Sequence, residues 1–123
     1  MDQRADKRCR ITRRDEIARL FEEGRRAGDA TAMLVVLPND QNGQRRRLGV
    51  AVAKRHGNAV RRNRVKRLCR EAFRLVRHEL PAGWDFIIVP RARQDLSLEM
   101  LQAAIRKLGG RLTSRGGEGG GGR

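Results

Sequence analysis

Apolar and polar positions change period several times along this chain, and each change marks an element. Thr12 stands where a helix N-cap belongs, with Asp15 three residues on in the place where Glu is usual. Ile17, Leu20 and Phe21 then fall at helical spacing before Gly24 stops the helix. Residues 32–37 form a short continuous apolar run ended by Pro38, the pattern of a buried strand. Residues 38–44 are dense in turn signals. Residues 47–54 alternate: Leu48, Val50 and Val52 point one way, and the small Gly49, Ala51 and Ala53 the other, which lets another element approach closely. The chain turns at Gly57 and Asn58 into the longest helical pattern, residues 59–80, closed by Pro81, Ala82 and Gly83. Residues 84–89 read as a second apolar strand ended by Pro90. A last helix opens near Ser97, with Leu98, Leu101, Ile105 and Leu108 on one face.

This order predicts an α+β fold, a two-layer sandwich with helices packed on a single mostly antiparallel sheet of about four strands. The strand–helix–strand unit from residue 47 to residue 89 is a crossover, which the general rule makes right-handed. A basic N-terminal arm is expected over residues 1–10, a folded domain over 11–108 and a disordered Gly-rich tail over 109–123, which holds eight of the 14 glycines. There are no internal repeats.

Composition narrows the class. The 123 residues, 38% of them apolar, allow one modest core. No run approaches the ~18 apolar residues of a membrane span, and residues 1–10 lack the apolar block of a signal peptide. Cys9 and Cys69 make neither a disulfide scaffold nor a metal site. A cytoplasmic protein with no membrane partner is expected. Charge changes the picture most. Lys and Arg number 29 against 14 Asp and Glu, a net +15, and 25 of the 29 are Arg. Residues 45–77 hold 13 basic residues and one acid, Glu71, hence +12 of the total. A solvated face is the ordinary meaning of a charge run. Twelve uncompensated charges in 33 residues, however, call for an outside supply of negative charge, and arginine forks suit phosphate.

On the long helix the two kinds of residue separate. Val65, Leu68, Cys69, Ala72 and Val76 form an apolar stripe, and Asn63, Lys66, Arg67, Arg70, Arg74 and Arg77 lie opposite it. Such a ridge meets successive phosphates without reading bases. Arg61 and Arg62 flank the stripe near the helix start, where backbone N–H groups also favour anions. A protein nuclease would need clustered carboxylates or a positioned His pair. Here the acids are scattered beyond residues 15–23. His56 and His78 stand at opposite ends of the helix and read as surface histidines, with His56 beside Lys54 and Arg55 also within reach of phosphate.

The stretch from Leu48 to Phe73, with Arg62, Asn63, Arg64, Lys66, Arg67 and Arg70 at fixed offsets, resembles the signature region of the bacterial ribonuclease P protein subunit. The resemblance extends through residues 84–91 and back to residues 20–24, and covers roughly residues 10–108. It implies a left-handed crossover through the long helix, against the general rule. It implies an RNA-binding protein without catalytic residues of its own, acting with a catalytic ribonuclease P RNA, one protein per RNA. That RNA uses Mg2+, held by RNA and substrate, to release the 5′ leader of precursor tRNA. The RNA-binding residues are then Lys54, Arg55, Arg61, Arg62, Asn63, Arg64, Lys66, Arg67, Arg70 and Arg74. The leader would lie in a cleft between the first helix and the sheet, at Ile17, Phe21 and Val35. The family usually has aromatic residues at these three positions, and only Phe21 is aromatic here. A basic ribosomal or general RNA-binding protein is the alternative reading of the same charge.

Overall fold

The computed structural model describes residues 10–39 and 45–114. Four strands, β1 (Arg25–Gly28), β2 (Ala32–Pro38), β3 (Arg46–Val50) and β4 (Trp84–Pro90), form one sheet in the order β1-β2-β4-β3. The β1–β2 and β2–β4 pairs are antiparallel and the β3–β4 pair is parallel. Three helices pack on it: α1 (Arg14–Glu23), α2 (Ala59–Val76) and α3 (Leu98–Thr113). The α+β architecture of helices on a single, mostly antiparallel sheet is as the hydrophobic pattern predicts, with one refinement. Because side chains alternate along a strand, Leu34, Val36, Phe86 and Ile88 face α2 and α3, whereas Val35 and Ile87 face α1 on the other side.

Local chemistry sets the element ends. Gly57, at φ +124°, makes the turn before α2, and the Asn58 side chain caps that helix by accepting the Arg61 N–H at 3.0 Å. Ser97 caps α3 by accepting the Met100 N–H at 3.2 Å. Helix α1 starts one residue later than expected, with Arg13 and not Thr12 at the cap position and no side-chain cap bond. Gly24 does end it, and for a spatial reason. A Cβ there would stand 2.7 Å from both a Val35 methyl and the Val36 carbonyl, so glycine lets α1 lie close on β2.

Some boundaries differ from the sequence pattern. Strand β3 stops at Val50; Ala51 still donates to the Ile88 carbonyl at 3.0 Å, and residues 54–56 then form a 3-10 turn. Helix α2 ends at Val76 and tightens into a 3-10 turn over residues 77–79. Helix α3 runs on past Leu108 to Thr113. Its Gly109 is buried against Leu80, where a Cβ would come within 2.9 Å, and the Thr113 hydroxyl donates to the Gly109 carbonyl at 2.7 Å. The folded part therefore extends beyond residue 108, and residues 115–123 of the expected tail lie outside the described residues. So do residues 1–9 of the expected arm and residues 40–44 of the expected turn. Arg10 itself pairs with Leu48 in a parallel bridge, and Ile11 donates to the Leu48 carbonyl at 2.9 Å, over the small Gly49.

Two kinds of packing hold the layers. Between the sheet and α2–α3 lies the larger core, where the Phe73 and Phe86 rings meet at 5.5 Å and 55°. Cys69 is a buried filler within it; burial pushes its thiol up to about 12, so it stays protonated at neutral pH. On the α1 side, Leu20 packs on Val35, Ile87 and Ile11, and a charge network fixes one end of the helix. Arg47 donates twice to the buried Asp85 carboxylate, at 2.8 and 2.9 Å, and reaches Glu16 of α1 at 3.4 Å. Asn39 also donates to Asp85. The Asp85 hydrogen bonds raise the Arg47 pKa further against the cost of burial.

Candidate nucleic-acid interface

Capping and the apolar stripe together dictate which way α2 presents its charges. Val65, Cys69, Ala72, Phe73 and Val76 are buried, so the opposite side must face out. Asn63, Arg64, Arg67 and Arg74 are exposed, and Lys66 and Arg70 half-buried. Lys54 and Arg55 are exposed on the 3-10 turn just before the helix. Arg61 and Arg62 are partly covered: Arg61 reaches the Arg93 carbonyl at 3.5 Å, and the Arg62 Nε is buried without a hydrogen-bond partner.

Three of the expected residues, Arg67, Arg70 and Arg74, come together around one open cavity of about 420 Å³, with Leu48 and Phe73 among its lining residues. Arg10 and Arg77 bring its lining arginines to five, and among the described residues Glu71 is the only acid that lines it. That acid is already engaged, since Arg74 holds it through two hydrogen bonds at 2.7 and 3.0 Å. Desolvation, and then the charge of Arg10, lower the Arg70 pKa from its ordinary value. Arginine keeps its proton at neutral pH regardless, so Arg70 presents a full positive charge at the cavity. Lys54, Arg55 and Arg61–Arg64 do not line the cavity; they sit at the N-terminal end of α2. Arg10 was not legible as part of this site, because only its bridge to Leu48 brings it there. Arg47, by contrast, counts toward the charge of the basic segment but is neutralised internally by Asp85.

The groove between α1 and the sheet differs in kind. Ile17 and Phe21 are half-buried, as a lining requires, but Val35 is fully covered by α1 and cannot touch a ligand. The reason is the close approach at Gly24. Met33, Leu37, Ala51 and Val89 are the half-buried side chains of that face. His56 also departs from expectation. It is 5% exposed, and its Nε2 lies 2.9 Å from the Pro90 carbonyl, so it pins the 54–56 turn to the end of β4 and does not face solvent. His78 is exposed, beside Glu79 at 3.7 Å. Among the described residues, no three His, Cys, Asp or Glu side chains converge to hold a metal ion, and no helix is long and apolar enough to cross a membrane.

Fold and surface thus define a small basic α+β protein whose main helix offers a polyanion an arginine-lined face. The chain matches the family Ribonuclease P over residues 5–113. It is 36% identical over 99 residues to the ribonuclease P protein component of Oleidesulfovibrio alaskensis, covering 80% of this chain and 79% of that one. To the protein component of Photobacterium profundum it is 37% identical over 110 residues, 87% and 92% of the two chains. The fold superimposes on the ribonuclease P protein from Thermotoga maritima with a TM-score of 0.75 at 25% identity, covering 85% and 98%. For the Staphylococcus aureus ribonuclease P protein the TM-score is 0.69 at 27% identity, covering 81% and 91%. The chain belongs to the ribonuclease P protein family, the protein components that act with the ribonuclease P RNA in tRNA 5′ maturation. Membership decides between the readings that charge alone left open.

Proposed function

We propose that α2 and the turn before it seat this protein on the ribonuclease P RNA, and that the groove beside α1 takes the 5′ leader of precursor tRNA. The observation that carries the first part is the five-arginine cavity, where the one carboxylate among the described lining residues is already held by Arg74. Lys54, Arg55, Arg61, Arg62, Asn63, Arg64 and Lys66 extend the same contact toward the N-terminal end of α2. The half-buried Ile17, Phe21, Met33 and Val89 support the second part, because they leave apolar surface available beside α1. Hydrolysis belongs to the RNA. The described side chains do not fit a magnesium site, and Asp85, Glu71, Glu79 and Asp95 are all held by arginines. Magnesium is therefore assigned to RNA and substrate phosphates, in a cytoplasmic particle with one protein per RNA.

Reconstitution with a bacterial ribonuclease P RNA and a precursor tRNA at low magnesium tests this reading. The protein should stimulate 5′ cleavage. Arg70→Ala should weaken RNA association and lower the slope of log affinity against log salt by about one contact. Folded protein that gives no stimulation would remove the reading, and an unchanged slope would remove Arg70 from the interface.

A further inference from the structure

We infer that Arg26 supplies a flat stacking face for an unpaired leader base; this rests on the groove beside α1 taking the leader. Arg26 pairs with Val35 across the β1–β2 ladder, and paired side chains share a face, so Arg26 stands on the α1 side of the sheet. Two contacts fix its head. The guanidinium lies over the Phe21 ring, with Cζ 5.9 Å from the centroid. One of its Nη groups donates to the Phe21 carbonyl, which is among the last four of α1 and has no partner within the helix. A cation at the C-terminal end of a helix is also favoured by the helix dipole.

The result is a planar cation whose head is held at the C-terminal end of α1, beside the groove. Arg26 is exposed, and among the described residues no carboxylate pairs with it. The guanidinium is thus held near the Phe21 ring while the side chain stays open to solvent. A base that stacks there finds a platform whose rotamer is already fixed, so little ordering entropy remains to be lost. Arginine planes serve this purpose for single-stranded RNA as aromatic rings do. The chain has three Phe, one Trp and no Tyr. Of these, Phe73 and Phe86 are consumed by the core. Phe21 is thus the one phenylalanine on this face, and Arg26 extends its stacking surface outward.

The test uses the reconstituted holoenzyme and compares precursor tRNA carrying a leader with mature tRNA. Arg26→Ala should weaken binding of the leader-bearing substrate by about 5-fold or more, and leave mature tRNA binding unchanged and the protein folded. Arg26→Lys keeps the charge and loses the plane, so it should not restore binding. A leader with 2-aminopurine at successive positions should be quenched at one position by the wild-type holoenzyme and by neither variant. Full rescue by Arg26→Lys would overturn the inference in favour of a simple phosphate contact. Undiminished leader binding by Arg26→Ala would overturn it outright while leaving the groove reading in place. A wild-type holoenzyme that binds both substrates equally would overturn the groove reading and this inference with it.

Discussion

The two faces of the sheet are built by different means. Toward α2 and α3, Leu34, Phe86, Ile88, Leu101, Ile105 and Leu108 are all at most 1% exposed, and dispersion and apolar burial do the work. Toward α1, only Ile11, Leu20, Val35 and Ile87 are sealed, a charge network fixes the helix at one end, and six apolar side chains remain half-covered. A face meant only for stability would be closed over. The contrast separates the side of this small protein that is sealed for stability from the side proposed above to take the leader.

The largest break of this contrast is a paired substitution. Phe86→Ala should cost about 3–5 kcal/mol, because the ring is fully enclosed and loses its contact with Phe73. Met33→Ala on the open face should cost about 1 kcal/mol; chemical denaturation of both variants reads the difference. Equal losses would mean that the α1 face is sealed in solution. Next in size is Asp85→Ala, which leaves the mostly buried Arg47 guanidinium without its main partner and should cost about 3 kcal/mol. Hydrogen exchange should show the amides of α1 opening before those of α3, since Glu16 is tied down only through Arg47. Uniform acceleration would show that the network holds the whole fold and not one helix.

The smallest expected effect lies on the closed side. Asp29, in the β1–β2 turn, is partly buried, which alone would raise its pKa. The Ala32 and Thr31 N–H donors and Lys107 of α3 outweigh this and hold it below the ordinary carboxylate range. A depressed folded-state pKa gives stability that is present above the unfolded value of ~3.9 and lost as pH falls through the folded one. Asp29→Asn should therefore lower stability at neutral pH and converge with the wild type as pH falls, which flattens the acid limb of the stability curve. Thermal melts between neutral pH and pH 3 measure it.

How much of this was legible without coordinates depends on where the information sits. The period of α2 declared both its buried stripe and its arginine ridge, since both follow from one helix geometry. The opening of α3 near Ser97 and the stop at Gly24 were local signals and equally plain. Strand β1, Arg-Arg-Ala-Gly, has no apolar alternation and exists because its backbone pairs with residues 33–36. Burial of Val35 and of His56 depends on what lies above them in space, which no local pattern states. The end of α3 was hidden because glycine reads as a breaker, whereas Gly109 is required by the Leu80 side chain against it.

The strands at the two margins of the sheet bear on how the protein behaves before it meets its RNA. An unprotected sheet margin invites a strand from a second copy, the first step toward aggregation. Here β1 opens with Arg25 and Arg26, β3 opens with Arg46 and Arg47, and residues 10–11 already lie along β3. A second copy approaching the β1 margin would bring another exposed arginine pair against the first. Charge at this margin thus disfavours strand pairing with a second copy, so the charge that suits a polyanion also works against self-association through β1.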